Sequence, residues 1–292
     1  MLGLLLASCG EGPVATGAEI IDREAGRARS EARALRFGLV PAEGGADIVE
    51  RFAPLAEHLT RELGRPVEVF SATEYLGVIL AMQNGQVDIG YFGPKSYVEA
   101  SRVAGAVAVA KQLELDGTPG YFSVILTRAG LGIASIEEAR GRVFGFVSPS
   151  STSGYLVPAI GLVERTGQRA EDYFGEVRYT GNHATSVRAV LAGDLDLAAT
   201  NTLDLAAMRA SGLDDSALVE LWRSELIPGS VIAVRKDMPD VLRERVRAAV
   251  VGFSFGDAAS MARGGYVPAH DHEYDVIRVL EEREAELAAA GG

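Results

Sequence analysis

The chain has 292 residues, 48% of them hydrophobic and 23% charged, enough to build one large domain or two lobes around a substantial core. Its formal net charge of -12 excludes binding to nucleic acid or anionic lipid by bulk electrostatics, so any anion site must work through local, directed donors. A single cysteine, Cys9, excludes an intrachain disulfide and a CxxC metal site, and of the four histidines only His270 and His272 lie close in sequence.

The chain opens MLGLLLASCGEG, an apolar run too short to span a bilayer. Small residues precede Cys9 in Leu6-Ala7-Ser8-Cys9-Gly10, which resembles the end of a bacterial lipoprotein signal peptide, cleaved and lipid-modified at that cysteine. The usual basic stretch ahead of the apolar run is missing, which reads as a late start. The competing reading is a fraying terminus with a chance cysteine. Residues 10–33 then read as a tether.

Leu35 to Val40 reads as a strand. Ile48 to Leu63 carries Val49, Phe52, Leu55, Leu59 and Leu63 at helical spacing and stops at Gly64. Strand 66–70, helix 75–84, strand 87–92 broken by Gly93-Pro94, helix 96–104 and strand 106–112 follow. Tyr121 to Thr127 is a strongly apolar strand, and after it the same grammar restarts. Strand 143–147 leads to a helix from Ser151. Strand 176–179, helix 186–192, strand 195–200, helix 203–210 and strand 218–222 come next. Ser230 to Arg235 is again an apolar strand, and 239–262 and 274–290 read as helices.

Strands interleaved with helices of about ten residues predict parallel α/β sheets. The two runs predict two lobes, 34–125 plus 233–292 and 126–232, behind a 1–33 signal remnant and tether. Strands 121–127 and 230–235 are the expected crossovers, with the C-terminal helices returning to the first lobe. Ligands bind at strand C-terminal ends in such folds, here in the cleft between lobes. Residues 78–89 and 189–197 repeat one pattern of helix, glycine turn and strand with Asp near its start; glycine reuse at helix ends explains it equally well.

The run Val143 to Leu156, VFGFVSPSSTSGYL, carries the most chemistry. An apolar strand ends at Ser148-Pro149, then Ser150, Ser151, Thr152 and Ser153 lead through Gly154 into a helix. A helix start offers free N–H groups and a positive dipole end, so a start ringed by hydroxyls reads as a socket for an oxyanion. Capping alone explains one hydroxyl and leaves three. With no Lys in it, the socket suits a small tetrahedral anion better than a nucleotide.

Other candidates stand at strand-to-helix junctions. Tyr97, after Gly93-Pro94, offers a phenolic O–H or is a core aromatic with a wet tip, and the same two readings hold for Tyr75. His183 donates to an oxyanion or is a polar loop residue. Asp204 favours the positive end of its helix, or accepts a proton from the ligand, or pairs with a ligand ammonium.

These residues together resemble the phosphate, phosphite and phosphonate solute-binding components of ABC importers. The resemblance rests on Glu74-Tyr75, Asn84 to Ile89, Tyr91-Phe92-Gly93-Pro94 with Ser96-Tyr97, Ser151 to Pro158, Gly181-Asn182-His183, and Trp222 through Ile227-Pro228 into SVIAVR; it covers about residues 35–260. It implies an α/β, two-lobed type II periplasmic-binding-protein fold closing on its ligand. It implies further that Ser151, Thr152 and Ser153 hold the phosphorus oxygens, with Tyr75, Tyr97 and His183 completing the shell. Relatives that take aminoalkyl phosphonates hold the ammonium with acidic side chains. One stands near Leu203 and Asp204, and the other falls where this chain has Gly229-Ser230, which favours phosphite, phosphate or methylphosphonate. The chain is thus expected to be an extracytoplasmic, lipid-anchored monomer that delivers an oxyanion to a permease and its ATPase, with no cofactor, no metal and no catalysis. Two other readings stand beside it. One is a sensor presenting ligand to a membrane kinase. The other is a hydrolase using Ser151 or Ser153 with His183 and Asp204, although no GxSxG elbow is present.

Overall fold

The computed structural model describes residues 33–42, 45–114, 116–254 and 264–290, so Cys9 and nearly all of the expected tether lie outside the described residues. In chain order the strands are β1 (Leu35–Leu39), β2 (Val67–Ser71), β3 (Ile89–Phe92), β4 (Val107–Leu113), β5 (Gly120–Tyr121), β6 (Ser123–Arg128), β7 (Val143–Phe146), β8 (Glu176–Tyr179), β9 (Leu197–Asn201), β10 (Leu218–Arg223), β11 (Ile227–Pro228), β12 (Val231–Val234) and β13 (Gly265–Pro268).

Two sheets form, in the orders β13-β4-β12-β3-β1-β2 and β10-β6-β9-β7-β8. Apart from the edge strand β13 they have one plan. Each holds three parallel strands, β2-β1-β3 or β8-β7-β9, followed by two strands that alternate in direction. The sequence repeat is part of this symmetry. The Asp88 N–H donates to Arg36 O at 2.9 Å while its carboxylate accepts the Arg36 N–H; Asp196 makes the same pair of bonds to Val143. Gly85 and Gly193, at φ 69° and 88°, turn the chain in the left-handed region where other residues are strained.

Each sheet is covered by amphipathic helices whose apolar stripes make the core. In helix Gly45–Leu63, Phe52, Leu55 and Leu59 are fully buried, with Phe52 edge-on to Phe37 of β1 at 5.7 Å. In the second sheet Phe144 of β7 stacks on Phe174 at 4.6 Å. Among the described residues no helix is long and apolar enough to cross a membrane.

Three expectations need correction. The long apolar strands do not cross between sheets: β6 belongs wholly to the second and β12 to the first. The chain crosses instead through the short β5–β11 ribbon, where a Cβ on Gly120 would meet Ile227 O at 2.2 Å. Long apolar strands are buried on both faces and so belong inside a sheet. The helix expected over 239–262 runs Asp240–Val251, residues 255–263 lie outside the described set, and β13, unforeseen, pairs with β4. Lastly, helix Asp275–Ala290 packs on helix Pro94–Ala104 and also on helix Val157–Thr166, so it does not return to the first sheet alone. Tyr155 Oη donates to Glu284 on it at 3.0 Å, and Lys95 Nζ lies 3.4 Å from its Glu281.

Candidate functional site

β7 ends at Phe146, and the chain turns through Ser148-Pro149 into a wide helical turn, Thr152–Leu156, that leads into helix Val157–Thr166. Ser151 caps it: its Oγ accepts the Gly154 N–H at 3.0 Å. The turn lies flush against the strand end, because a Cβ on Gly154 would come within 2.4 Å of Val147 Cβ. Ser123 Oγ donates to Ser153 O at 2.7 Å and holds the turn from β6. Ser151, Thr152 and Ser153 are all 2% exposed, so the turn lines a space screened from bulk water.

That space is a small cavity, with about 20 Å³ open to the centre of a water-sized sphere, so its walls stand close together. Facing the hydroxyl turn are Tyr75, at the start of helix Tyr75–Gln83, and Tyr91 and Tyr121 from β3 and β5. Burial pushes the Tyr75 phenol well above its ordinary value, the Asp204 charge adds to that, and a bond with Ser151 opposes it. Burial likewise raises Tyr121, against bonds with Thr152 and Ser153. Both phenols therefore keep their protons at neutral pH. The third side is His183, Asn201 and Asp204. His183 begins helix His183–Ala192 beside the Asn182 cap, and Asn201 caps helix Thr202–Ala210.

Two bonds from backbone N–H groups close the pocket between the sheets' elements. The His183 N–H donates to Ala42 O at 2.7 Å, and the Lys95 N–H donates to Thr152 Oγ1 at 2.8 Å. Among the described residues no Lys or Arg lines the cavity, and no cluster of three metal-ligating side chains occurs. The pocket can hold an anion through neutral donors in a water-poor space, where each hydrogen bond is electrostatically stronger than in water.

Of the residues expected from sequence, Tyr75, Ser151, Thr152, Ser153, His183 and Asp204 come together here. Tyr97 does not. Its ring is fully buried, and its hydroxyl donates to Asp271 at 2.6 Å beside helix Asp275–Ala290. The helix begins at Pro94, so the first turn offers the Lys95 N–H to the cleft and carries Tyr97 to the far side. The expectation missed Tyr91, Tyr121 and Asn201. Strand residues do not announce which face meets the cleft, but Asn201 directly before a helix carried a capping signal. As for a nucleophilic triad, the Asn201 amide stands between its members, 3.2 Å from Ser153 Oγ and 3.1 Å from His183 Nε2.

Residues 37–274 match the family described as ABC transporter, phosphonate, periplasmic substrate-binding protein. The chain is 31% identical over 270 residues to a phosphate-import protein of Mycolicibacterium smegmatis, covering 84% of each chain. It is 30% identical over 224 residues to the phosphonates-binding periplasmic protein of Escherichia coli, covering 75% of this chain and 66% of that one. Among solved structures, the fold is that of a binding-protein component of an ABC phosphonate transporter from Pseudomonas aeruginosa. The TM-score is 0.83 at 24% identity, over 89% of both chains.

Proposed function

This chain belongs to the periplasmic phosphonate substrate-binding proteins of ABC transporters, and from that premise we propose that its closed cleft captures one small phosphorus oxyanion: phosphite, phosphate or a methylphosphonate. The protein is a substrate-binding component, not an enzyme; it works outside the cytoplasm and serves a permease and its ATPase.

The observation that carries the ligand reading is the hydroxyl-ringed helix start. Ser151, Thr152 and Ser153 face buried Tyr75 and Tyr121 across a small cavity that no lysine or arginine lines among the described residues. The phosphorus oxygens take the turn's N–H and O–H groups and the phenols of the opposite wall, and His183 and Asp204 meet the remaining substituents. Each hydrogen bond to the charged ligand contributes about 1.5–3 kcal/mol, and only the closed cleft makes bonds from both walls. Ligand thus shifts the molecule from open to closed. The missing acid at Gly229-Ser230 supports a ligand without an ammonium group.

Calorimetry with phosphite, phosphate, methylphosphonate, 2-aminoethylphosphonate and sulfate tests this. Micromolar or tighter binding of at least one of the first three is expected; none binding at that level refutes the reading. We propose further that Cys9 carries a lipid anchor and that the protein acts as a monomer. Fatty-acid labelling lost in Cys9→Ser and a monomer mass in solution are the expected results.

A further inference from the structure

We propose that the last turns of the C-terminal helix, residues 281–290, are a strap that holds the cleft shut, with Glu281 and Glu284 as its positioning residues, so that the protein populates the closed form before a ligand arrives. This rests on the reading of the cleft as one that opens and closes. It needs nothing from the identity of the ligand.

The two ends of helix Asp275–Ala290 are attached differently. Its root is fixed to the first sheet. Tyr274, fully buried, stands edge-on to Tyr97 at 4.8 Å and donates to Gly229 O at 3.1 Å. Tyr97 Oη donates to Asp271, and Arg278 turns back onto the same carboxylate at 2.7 Å. Ile277 is 1% exposed in the core of the first sheet, and Lys111 of β4 pairs with Glu273 just ahead of the helix. An element pinned in this way moves with the first sheet.

The far end lies against the other half. Glu284 accepts the Tyr155 hydroxyl at 3.0 Å, and Tyr155 belongs to the Thr152–Leu156 turn beside the pocket. Burial raises the Tyr155 phenol and the Glu284 charge adds to that, so the phenol keeps its proton and donates. Leu287 and Ala288 face Ala159, Ile160 and Val163 of helix Val157–Thr166 across a narrow space. Leu156 and Ile160 are buried in the same apolar cluster as the first sheet's core, and Leu287 packs on that cluster. Midway along the helix, Glu281 lies 3.4 Å from Lys95 Nζ and 3.1 Å from Arg102. Lys95 is the residue whose N–H reaches Thr152 Oγ1 across the cleft. The helix thus braces both partners of that bond, Lys95 through Glu281 and the Thr152 turn through Glu284.

If the second half swings away at the β5–β11 crossover, the root of the helix stays behind. The Tyr155–Glu284 bond then breaks, and Leu156 and Ile160 lose the cover of the first half. These contacts join protein to protein, so they form whether or not a ligand is held. Apolar burial and a charge-assisted bond both favour the closed form. A ligand that meets a cleft already biased toward closure spends less of its binding energy on closing it, and its apparent affinity rises.

The test has two arms. Spin labels on Val219→Cys and Val241→Cys, exposed positions on β10 and on helix Asp240–Val251, report the separation of the halves by electron–electron resonance in a Cys9→Ser background. Ligand-free wild type is expected to show two distances, one for each form. In Glu284→Ala the ratio of closed to open should fall at least about fivefold. Glu284→Gln keeps an acceptor oxygen for Tyr155 and should restore most of the ratio. A ligand-free wild type that is wholly open, or a distribution unchanged in Glu284→Ala, overturns the strap and leaves the oxyanion reading intact. The second arm is calorimetry with methylphosphonate and inorganic phosphate. Tyr155→Phe and Glu284→Ala should each raise the dissociation constant at least about fivefold, and the double variant should be no weaker than the singles, because all three remove one bond. Affinity in Glu284→Ala within about twofold of wild type, or losses that multiply in the double variant, overturns the strap. If wild type binds neither anion, the oxyanion reading falls and the distance measurement alone decides the strap.

Discussion

Thr152→Val is the sharpest test of how the cleft holds shut. Valine matches threonine in shape but lacks Oγ1, the acceptor for the Lys95 N–H at 2.8 Å. Thr152 is 2% exposed, so water does not replace the lost oxygen in the closed state. In an open cleft the same N–H faces solvent and loses nothing. The penalty for a buried, unpaired N–H is about 1–3 kcal/mol, and it falls on closure alone. That corresponds to a dissociation constant raised roughly 5- to 150-fold, before counting any bond from the hydroxyl to the ligand. Calorimetry on wild type, Thr152→Val and Thr152→Ser measures it, using whichever oxyanion the wild type binds. Serine keeps the hydroxyl and should recover most of the affinity, and the melting temperature of ligand-free protein should stay near wild type in both variants. A valine variant that binds within about twofold of wild type refutes the reasoning, because the cross-cleft bond then does not form in the complex.

Gly154→Ala should abolish binding and lower the melting temperature, since its Cβ would collide with Val147 at 2.4 Å and press on Ser151 Oγ at 2.8 Å; a wild-type affinity would mean the turn is not seated on β7. Asp88→Ala should destabilise the fold by about 3–5 kcal/mol in denaturant titration, because fully buried Asp88 pairs with Arg235 at 2.9 Å and also accepts the Arg36 N–H. A loss under about 1 kcal/mol contradicts that. Glu273 gives a pH signature. Burial pushes its carboxyl up, but the bonds from Lys111 and from the His270 N–H outweigh that, and the net shift is downward. A lowered folded pKa contributes stability above the unfolded value of about 4.3, and that contribution is lost as pH falls through the folded value. Glu273→Gln should therefore melt lower than wild type at pH 7 and converge with it toward pH 3; a constant gap across that range contradicts the assignment.

Much of this was legible in the sequence, for physical reasons. The alternation of short apolar strands and capped helices predicts two sheets, because burial on both faces leaves a continuous apolar strand and a glycine stop leaves a visible end. The socket was legible because Ser151 to Gly154 is a local motif: cap, turn and close packing all lie within a few residues. Tyr97 misled because the acceptor of its hydroxyl, Asp271, lies 174 residues away, and the start of its helix at Pro94 decides which residue faces the cleft. Tyr91 and Tyr121 were illegible as site residues for a related reason. Both are buried strand residues, and only sheet order and the β5–β11 crossover bring them to the pocket. Asn201 was in plain view before a helix, but the contacts of its amide with Ser153 and His183 depend on elements brought together by the tertiary fold.

The strand order also dictates when the protein can become itself. β12 lies between β3 and β4, so the first sheet remains two fragments until Val231–Val234 has been made and docked. All five strands of the second sheet lie between β4 and β12 in the chain, and each can pair with no strand from beyond residue 223. The segment in the middle of the sequence can mature first, while the segment that leads the chain waits on partners near its end. Such sequence-distant pairing slows folding. A chain whose family works in the periplasm has that delay written into its strand order.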